Sequence, residues 1–297
     1  MKIFITIILL VSLSLSAQES TPLMPSGTLI ERAYEIRLSA PAEFNKILEK
    51  LKKRSNLNFS QKNNLKLLLA YQSSYSGNYK QSEDIIEALL TNKNSLGESL
   101  LIQANYLMVY NMAAVKNWQK GFIFAEKTES LATSISDSLL KQNAYVATIT
   151  FWNQLGQYEI ALHRIDKIKS LNLSENNTCA INQLEVNAKK FLNKLPLATW
   201  EIDDAIAICT QTKSTLHINL LRSYKAEYYL KNATPRKAVS LLVPYLGEVR
   251  STQYPMIIAY VYNIISKSYW ELGNFKSAEK YALLSIEQHQ GAITDQA

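Results

Sequence analysis

The 297-residue sequence has few glycines and prolines, 8 and 7 respectively, and no two glycines are adjacent or one residue apart. This spacing excludes the glycine-rich phosphate loops of dinucleotide-binding and Walker-type proteins. The turns of all-β proteins also need glycine and proline, so the low counts favour long helices joined by short loops. Because 47% of the residues are hydrophobic, the chain can fold around a core. The composition therefore predicts a helical protein.

Histidine is also scarce, and His163, His217 and His289 lie far apart. The sequence has no His-Glu-x-x-His metal motif and no Gly-x-Ser-x-Gly nucleophile elbow. Each histidine falls in a helical stretch without a matching nucleophile, which favours a structural role. The acidic pair Asp203-Asp204 opens a helix, where negative charge complements the helix dipole. We therefore expect a protein that is not an enzyme and that holds no metal and no cofactor.

The sequence has a single long apolar run, which lies at its start. Lys2 supplies a positive charge, the 13 residues from Ile3 to Leu15 are mostly apolar, and Ser16-Ala17 are small. This order is typical of a secretory signal peptide over residues 1–17, cleaved after Ala17. The alternative is an uncleaved membrane anchor, but the run is shorter than the roughly 20 residues that span a bilayer. We therefore expect an exported protein.

Positive charge is in moderate excess, with 32 Lys and Arg against 25 Asp and Glu. Removing the signal peptide removes only Lys2 and leaves a net charge near +6, which is 31 minus 25. For an exported protein, this charge indicates a solvated basic surface rather than binding to nucleic acid. The basic run from Lys50 to Arg54 ends a helical stretch, where cations complement the helix dipole. No nucleic-acid partner is expected.

An internal repeat of about 40 residues runs through the sequence. Small residues at Ser82, Gly121, Ala161, Ala238 and Ala278 are 39, 40, 77 and 40 residues apart, so the third interval contains one degenerate repeat. Five residues before them stand three glycines, as expected where a helix ends with φ > 0. Three residues before them, four of the five residues are aromatic. The repeat is defined by Gly77, Tyr79, Ser82, Trp118, Gly121, Trp152, Gly156, Tyr158, Ala161, Tyr229, Ala238, Tyr269, Gly273, Phe275 and Ala278.

Each of these positions has a packing role in a hairpin of two antiparallel helices. The glycine turns the chain, the small residue lets the two helices approach, and the aromatic residue plugs the end of the hairpin. One hairpin cannot bury both of its faces, so neighbouring hairpins must stack on it. The sequence therefore predicts an all-α fold, an α-solenoid of antiparallel helix hairpins.

The last repeat resembles a tetratricopeptide repeat in its first helix, its turn and its second helix. The matching residues are Tyr262, Ile265, Ser266, Tyr269, Gly273, Asn274, Phe275 and Ala278. Residues 145–161 match nearly as well, whereas Pro235 replaces the turn aromatic in the repeat that ends at Ala238. The period of the family is about 34 residues. Here it is near 40, so we expect a TPR-like solenoid with longer helices or links and a different superhelical pitch.

A narrower resemblance covers nearly the whole exported part of the chain. A signal peptide, a short helical lead, forty-residue repeats and a cysteine pair follow one another as in the periplasmic sensor half of bacterial membrane-bound GGDEF diguanylate cyclases. The residues that carry this resemblance are Glu31, Arg37, Ser39, Ala40, Pro41, Phe44, Leu48, Trp270, Leu272, Gly273, Ala278 and Glu279. The resemblance implies a sensor in the bacterial periplasm. The chain has no adjacent glycines and thus no GGDEF motif, so no cyclase activity is implied.

Cys179 and Cys209 are the only cysteines. Export places them in an oxidising compartment, where pairing is permitted. Helices are predicted over 176–193 and 200–211, and the midpoint of the two cysteines, residue 194, lies just before the link between them. Residues placed symmetrically about an antiparallel turn lie side by side, so we predict a disulfide, with two buried thiols as the alternative. No histidine has the spacing of a metal ligand, and there is no second cysteine pair.

The first helices of the hairpins are expected to line a concave groove that binds a peptide or a protein. Its candidate residues are Tyr71, Tyr106, Asn111, Asn153, Tyr228 and Asn263. The chain is predicted to comprise a signal peptide (1–17), an N-terminal helical lead (18–60), a TPR-like solenoid (61–290) and a tail (291–297).

Three functions remain open at this point. The first is a periplasmic sensor or interaction module, the input region of a signalling protein such as a diguanylate cyclase. The second is a free-standing exported scaffold for envelope protein assembly, and an enzyme with an unrecognised site is the least supported. Solenoids need a polar capping helix, and none is visible after Gln288, which favours a fragment of a longer protein. Membrane contact is expected only through a missing C-terminal segment or an uncleaved signal peptide.

Overall fold

The computed structural model describes residues 24–192 and 199–293, and within these ranges its regular structure is entirely helical. The predicted signal peptide lies outside the described residues. The helices are α1 Ser26–Ile36, α2 Pro41–Lys52, α3 Phe59–Tyr75, α4 Tyr79–Leu90, α5 Glu98–Ala114, α6 Trp118–Ser134, α7 Ser138–Gln154, α8 Tyr158–Lys169, α9 Glu175–Phe191, α10 Trp200–Gln211, α11 Thr215–Lys231, α12 Pro235–Leu242, α13 Leu246–Ser251, α14 Pro255–Glu271 and α15 Phe275–Ile293. Short 3₁₀ turns lie at Lys93–Ser95 and Val243–Tyr245.

The helices form hairpins that stack along one direction. The pairs are α1–α2, α3–α4, α5–α6, α7–α8, α9–α10, α11–α12 and α14–α15. Helices α3, α5, α7, α9, α11 and α14 begin 39, 40, 37, 40 and 40 residues apart. All six have 17 residues, and each packs against the next in the series. The predicted all-α solenoid of hairpins is confirmed.

The conformation of the hairpin turns explains why glycine recurs five residues before the small residue of the repeat. Gly77, Gly156 and Gly273 have φ values of 88°, 81° and 73°, in the left-handed region that favours glycine. Lys116 and Ala233 take the same conformation, with φ of 58° and 51°, in two other repeats, whose turns have no glycine. In each turn the amide one residue later donates to a carbonyl in the last turn of the first helix, as Asn78 does to Ser73 at 2.8 Å. This bond is the helix-ending arrangement of the Schellman motif.

The small-residue column marks close contacts between helices. Ser82, Ala161, Ala238 and Ala278 are all buried. Gly121 is the tightest position, because a Cβ there would lie 2.5 Å from Cε2 of Phe151 on the next hairpin. A side chain at Gly121 therefore has no room unless α6 and α7 move apart.

Two of the turn aromatics pack against the next hairpin, a contact that the prediction did not include. Trp118 lies edge-on to Phe151 with 6.2 Å between ring centroids, and Tyr158 stacks on Phe191 at 4.9 Å. Both partners belong to the first helix of the following hairpin. Phe275, in the last described hairpin, is 58% exposed and lies edge-on to Trp270 of the same hairpin, with 5.0 Å between ring centroids. Trp118 and Tyr158 therefore contribute to the contact between neighbouring hairpins.

The degenerate repeat is the hairpin α9–α10, which forms where it was predicted. Cys179 and Cys209 form a disulfide between its two helices, and both residues are fully buried. They lie in one apolar cluster with residues of α11, including Leu221. The bridge thus joins the two helices of the repeat that departs most from the common pattern.

The predicted lead contains a hairpin of its own. Helices α1 and α2 bury Ala33, Phe44 and Leu48 in the same core cluster as α3 and α5. The first hairpin is therefore part of the stack. At the other end, α15 extends through Ile293 into the residues predicted as a tail. Among the described residues, no helix has both the length and the apolar character needed to cross a membrane.

Candidate functional site

The inner surface of the solenoid is formed by the first helices. Consecutive first helices contact each other, whereas consecutive second helices make no extensive contact within the described ranges. The first helices therefore lie on the inside of the curve and the second helices on the outside. The predicted groove would lie on this inner side.

Two of the predicted groove residues serve the packing between hairpins instead. Asn111 is fully buried, donates to the hydroxyl of Ser82 at 2.8 Å and accepts from Ser74 at 2.6 Å. Asn153 is buried and donates to the backbone carbonyl of Leu184 at 2.9 Å. Both amides therefore bond to a neighbouring hairpin rather than face the groove.

The remaining candidates divide between interior and surface. Tyr71 and Tyr106 are buried, with about 1% and 2% of their surface exposed. Tyr228 is partly exposed and packs edge-on to Tyr229, and Asn263 is exposed. The structure brings Tyr71 and Tyr106 into one cluster, which the sequence reasoning did not foresee as a unit.

This cluster is built around Arg37, at the end of α1. The Cζ atom of Arg37 lies 5.1 Å from the ring centroid of Tyr71 and 5.9 Å from that of Tyr34. Both distances are in the range of cation–π attraction. We define the arginine–tyrosine cluster by seven residues on α1, α3, α5 and the link before α14. They are Tyr34, Arg37, Tyr71, Tyr75, Tyr106, Tyr110 and Tyr254.

The cluster joins two distant parts of the solenoid. The rings of Tyr75 and Tyr254 lie 6.2 Å apart, and the hydroxyl of Tyr254 lies near that of Tyr79. Tyr75 and Tyr79 flank the turn of the α3–α4 hairpin, whereas Tyr254 directly precedes α14. The curvature of the solenoid thus brings its second hairpin against the link that precedes its last one.

Five tyrosine hydroxyls of the cluster ionise less readily than a free tyrosine. Burial raises the pKa of Tyr34, Tyr71, Tyr75, Tyr110 and Tyr254 above the usual value. The hydroxyls are therefore neutral at physiological pH, and each can donate one hydrogen bond. The hydroxyl of Tyr71 approaches that of Tyr106 without forming a hydrogen bond of good geometry.

Arg37 is the single charged residue in the lining of a narrow cleft beside the cluster. The cleft has about 30 Å³ of space open to water, enough for roughly two water molecules. One wall comes from α1 to α3, and the other from α11 and the link before α14. The lining residues are Arg37, Leu38, Pro41, Phe44, Asn45, Gln72, Tyr75, Ser76, Leu216, Thr252, Gln253 and Tyr254.

Two features of the described residues bear on catalysis. No group of three or more His, Cys, Asp or Glu side chains in 24–192 and 199–293 could hold a metal ion. Nδ1 of His217 lies 2.7 Å from the hydroxyl of Ser214, three residues earlier at the start of α11. This local contact has no oriented third group, unlike a nucleophile–base pair.

Comparison with solved structures shows the fold. The chain is similar to NprR in complex with its cognate peptide NprX, with 14% identity, a TM-score of 0.61, and coverage of 91% of this chain and 81% of that one. It is also similar to a Rap protein complexed with Competence and Sporulation Factor, with 15% identity, a TM-score of 0.52 and coverage of 80% and 69%.

A third similar structure is a signal transduction ATPase with numerous domains that has a tetratricopeptide repeat sensor, from Pyrococcus horikoshii. The identity is 11%, the TM-score is 0.55, and the match covers 91% of this chain but 43% of the other. No protein-family model matches the sequence, and no curated protein matches it either. At these identities the comparisons support a TPR-like helical solenoid, in agreement with the prediction.

Proposed function

We propose that this protein binds a peptide, or an extended segment of a partner protein, on the inner face of the solenoid. The observation that carries the proposal is the cleft at the arginine–tyrosine cluster, with neutral hydroxyl donors beside one cationic side chain. Backbone carbonyls and carboxylates of a peptide match these donors. Two similar structures, those of NprR and Rap, are described as complexes with a peptide and with a sporulation factor, which supports this class of ligand.

The biological role that we propose is that of a sensor or interaction module in the bacterial periplasm. The signal-peptide pattern and the resemblance to the sensor half of membrane-bound diguanylate cyclases support it. The binding event would be the input to a signalling protein, and the module itself would not be catalytic. The alternative is a free-standing exported scaffold for envelope assembly, which would use the same inner face.

Export is tested by joining alkaline phosphatase, which is active only in the periplasm, after Ala297. Active fusions that lose activity when residues 1–17 are deleted are expected. Inactive fusions of the full chain, with stable protein in the cytoplasm, would contradict the proposed location.

Peptide binding is tested by incubating the exported protein with random synthetic octapeptides that have free C-termini, and identifying retained peptides by mass spectrometry. Thr252 lines the cleft, whereas Ser251 is exposed and does not. Thr252→Trp should therefore fill the cleft and abolish retention, and Ser251→Trp is the matched control. Equal retention by both variants would place the ligand elsewhere, and no retention by the unmodified protein would reject peptide binding.

A further inference from the structure

Arg37 differs from the other arginine of its helix in having no acidic partner. Arg32, on the outer side of α1, lies 3.4 Å from Glu35 and 3.3 Å from Glu43. Arg37 forms no ion pair with any carboxylate of the described residues. Its guanidinium donates to the backbone carbonyl of Tyr34, and its buried Nε has no hydrogen-bond partner within these ranges.

A partly buried guanidinium without a counter-ion is energetically unfavourable. Removing a charge from water costs several kcal/mol unless an opposite charge or hydrogen bonds compensate. The faces of Tyr34 and Tyr71 offset part of this cost through cation–π attraction. The neighbouring hydroxyls are neutral and cannot act as a counter-ion. An anion that enters the cleft would complete the compensation.

We infer that the cleft binds a carboxylate group of the peptide ligand, which pairs with Arg37. The inference rests on the proposed peptide-binding function and gives it a chemical specificity. The planar guanidinium fits the two oxygens of a carboxylate. The space for about two waters matches the two oxygens, and Tyr75, within hydrogen-bonding reach of Arg37, can donate its own hydroxyl proton.

The position of the cleft gives the carboxylate a second effect. Arg37 and Tyr75 lie on the wall formed by the first two hairpins, and Thr252 to Tyr254 lie on the opposite wall. A carboxylate held by Arg37 would contact both walls, so its binding would tighten the contact between Tyr75 and Tyr254.

The carboxylate has two possible sources, the C-terminus of the peptide or an acidic side chain. The probes are therefore the octapeptides retained in the library experiment, each resynthesised in four forms. These are the free acid, the C-terminal amide, the free acid with Asp and Glu replaced by Asn and Gln, and the amide with the same replacements. Dissociation constants are measured by calorimetry.

Removing the carboxylate that pairs with Arg37 should weaken binding about tenfold to a hundredfold, which is the contribution of a charge-assisted hydrogen bond. The C-terminal amide should bind more weakly if Arg37 pairs with the C-terminus. The Asn and Gln forms should bind more weakly if Arg37 pairs with an acidic side chain. Arg37→Gln should bind all four forms equally, and Arg37→Lys should keep part of the preference because it retains the charge. Arg32→Gln is the matched control and should keep the full preference.

Two results would overturn the inference. One is that the unmodified protein binds all four forms equally, which would leave the proposed peptide binding intact but remove the carboxylate. The other is that Arg37→Gln, with an unchanged circular dichroism spectrum, keeps the same preference as the unmodified protein. Failure of the library itself to yield peptides would reject the proposed function, and the inference with it.

Discussion

Ala233 and Lys116 hold left-handed backbone conformations at turns where three other repeats use glycine. A residue with a Cβ is strained there by roughly 1–2 kcal/mol, whereas glycine loses more entropy on folding. The sequence predicted positive φ at the three turn glycines. Lys116 and Ala233 were aligned with these glycines in the repeat, but their residue types gave no indication of the same conformation. These two turns show that the repeat imposes the conformation even where the residue disfavours it.

Replacing Ala233 by glycine should therefore stabilise the protein, by about 0.5–1 kcal/mol in the free energy of unfolding. Gly273→Ala is the reverse substitution at an equivalent turn, where no atom lies within 4 Å of the added Cβ, and it should destabilise the protein by a similar amount. Urea denaturation measures both. Destabilisation by Ala233→Gly would show that the positive φ of Ala233 does not strain this turn.

His217 gives the stability a specific pH dependence. Burial lowers the pKa of His217 to about 4, whereas an unfolded histidine titrates near 6.5. The unfolded chain therefore takes up a proton first as the pH falls. The stability that depends on neutral His217 is present above about pH 6.5 and is lost as the pH falls towards 4.

His217→Gln should remove this dependence, which is on the order of 3 kcal/mol between pH 7 and pH 4. The matched control is His163→Gln, at an exposed position, which should keep the dependence of the unmodified protein. Unfolding free energies measured by urea titration at several pH values test the difference. Parallel pH profiles for His217→Gln and the unmodified protein would contradict the assignment.

The close packing of α6 on α7 depends on the absence of a side chain at Gly121. The added methyl group of Gly121→Ala would collide with Phe151, so this variant should be destabilised by about 1–3 kcal/mol. Gly247→Ala, in α13, meets no atom within 4 Å and should be neutral or stabilising. Thermal denaturation measures both variants. An unchanged midpoint for Gly121→Ala would mean that the two helices separate freely.

The disulfide stabilises the α9–α10 hairpin, which lacks the common turn pattern. The cysteines are 30 residues apart, and closing such a loop contributes about 3 kcal/mol in the chain-entropy model. The double substitution Cys179→Ala with Cys209→Ala should lower the free energy of unfolding by this order. The reduced protein, with its thiols blocked after unfolding, is the second comparison. Equal stability in urea for the oxidised protein and the double variant would contradict a structural role.

The helices and hairpins could be predicted because their signals are local. Gly156, the aromatic at position 158 and the small residue at 161 lie within one turn and the start of one helix, so periodicity alone reveals them. The roles of Asn111 and Asn153 could not be predicted in this way. Their burial depends on how far each hairpin rotates relative to the next, and that rotation is set by packing between repeats.

The curvature of the whole solenoid places Arg37 beside Tyr254, although the two residues are more than 200 positions apart in the sequence. Small rotations add up over six successive hairpins, so an error of a few degrees per repeat would separate them. Arg37 appeared in the sequence analysis only as part of a family resemblance, and Tyr254 carried no signal. The candidate site is therefore a property of the assembled stack rather than of any repeat.

The central claim is that a peptide binds at the cleft beside Arg37. It is tested most directly by hydrogen exchange of the full exported protein, measured by mass spectrometry with and without the tightest peptide from the library. We predict slower exchange at the end of α1, along the second half of α3 and at residues 252–254. Protection confined to the exposed surface of α15 around Phe275, with no change at these segments, would contradict the account.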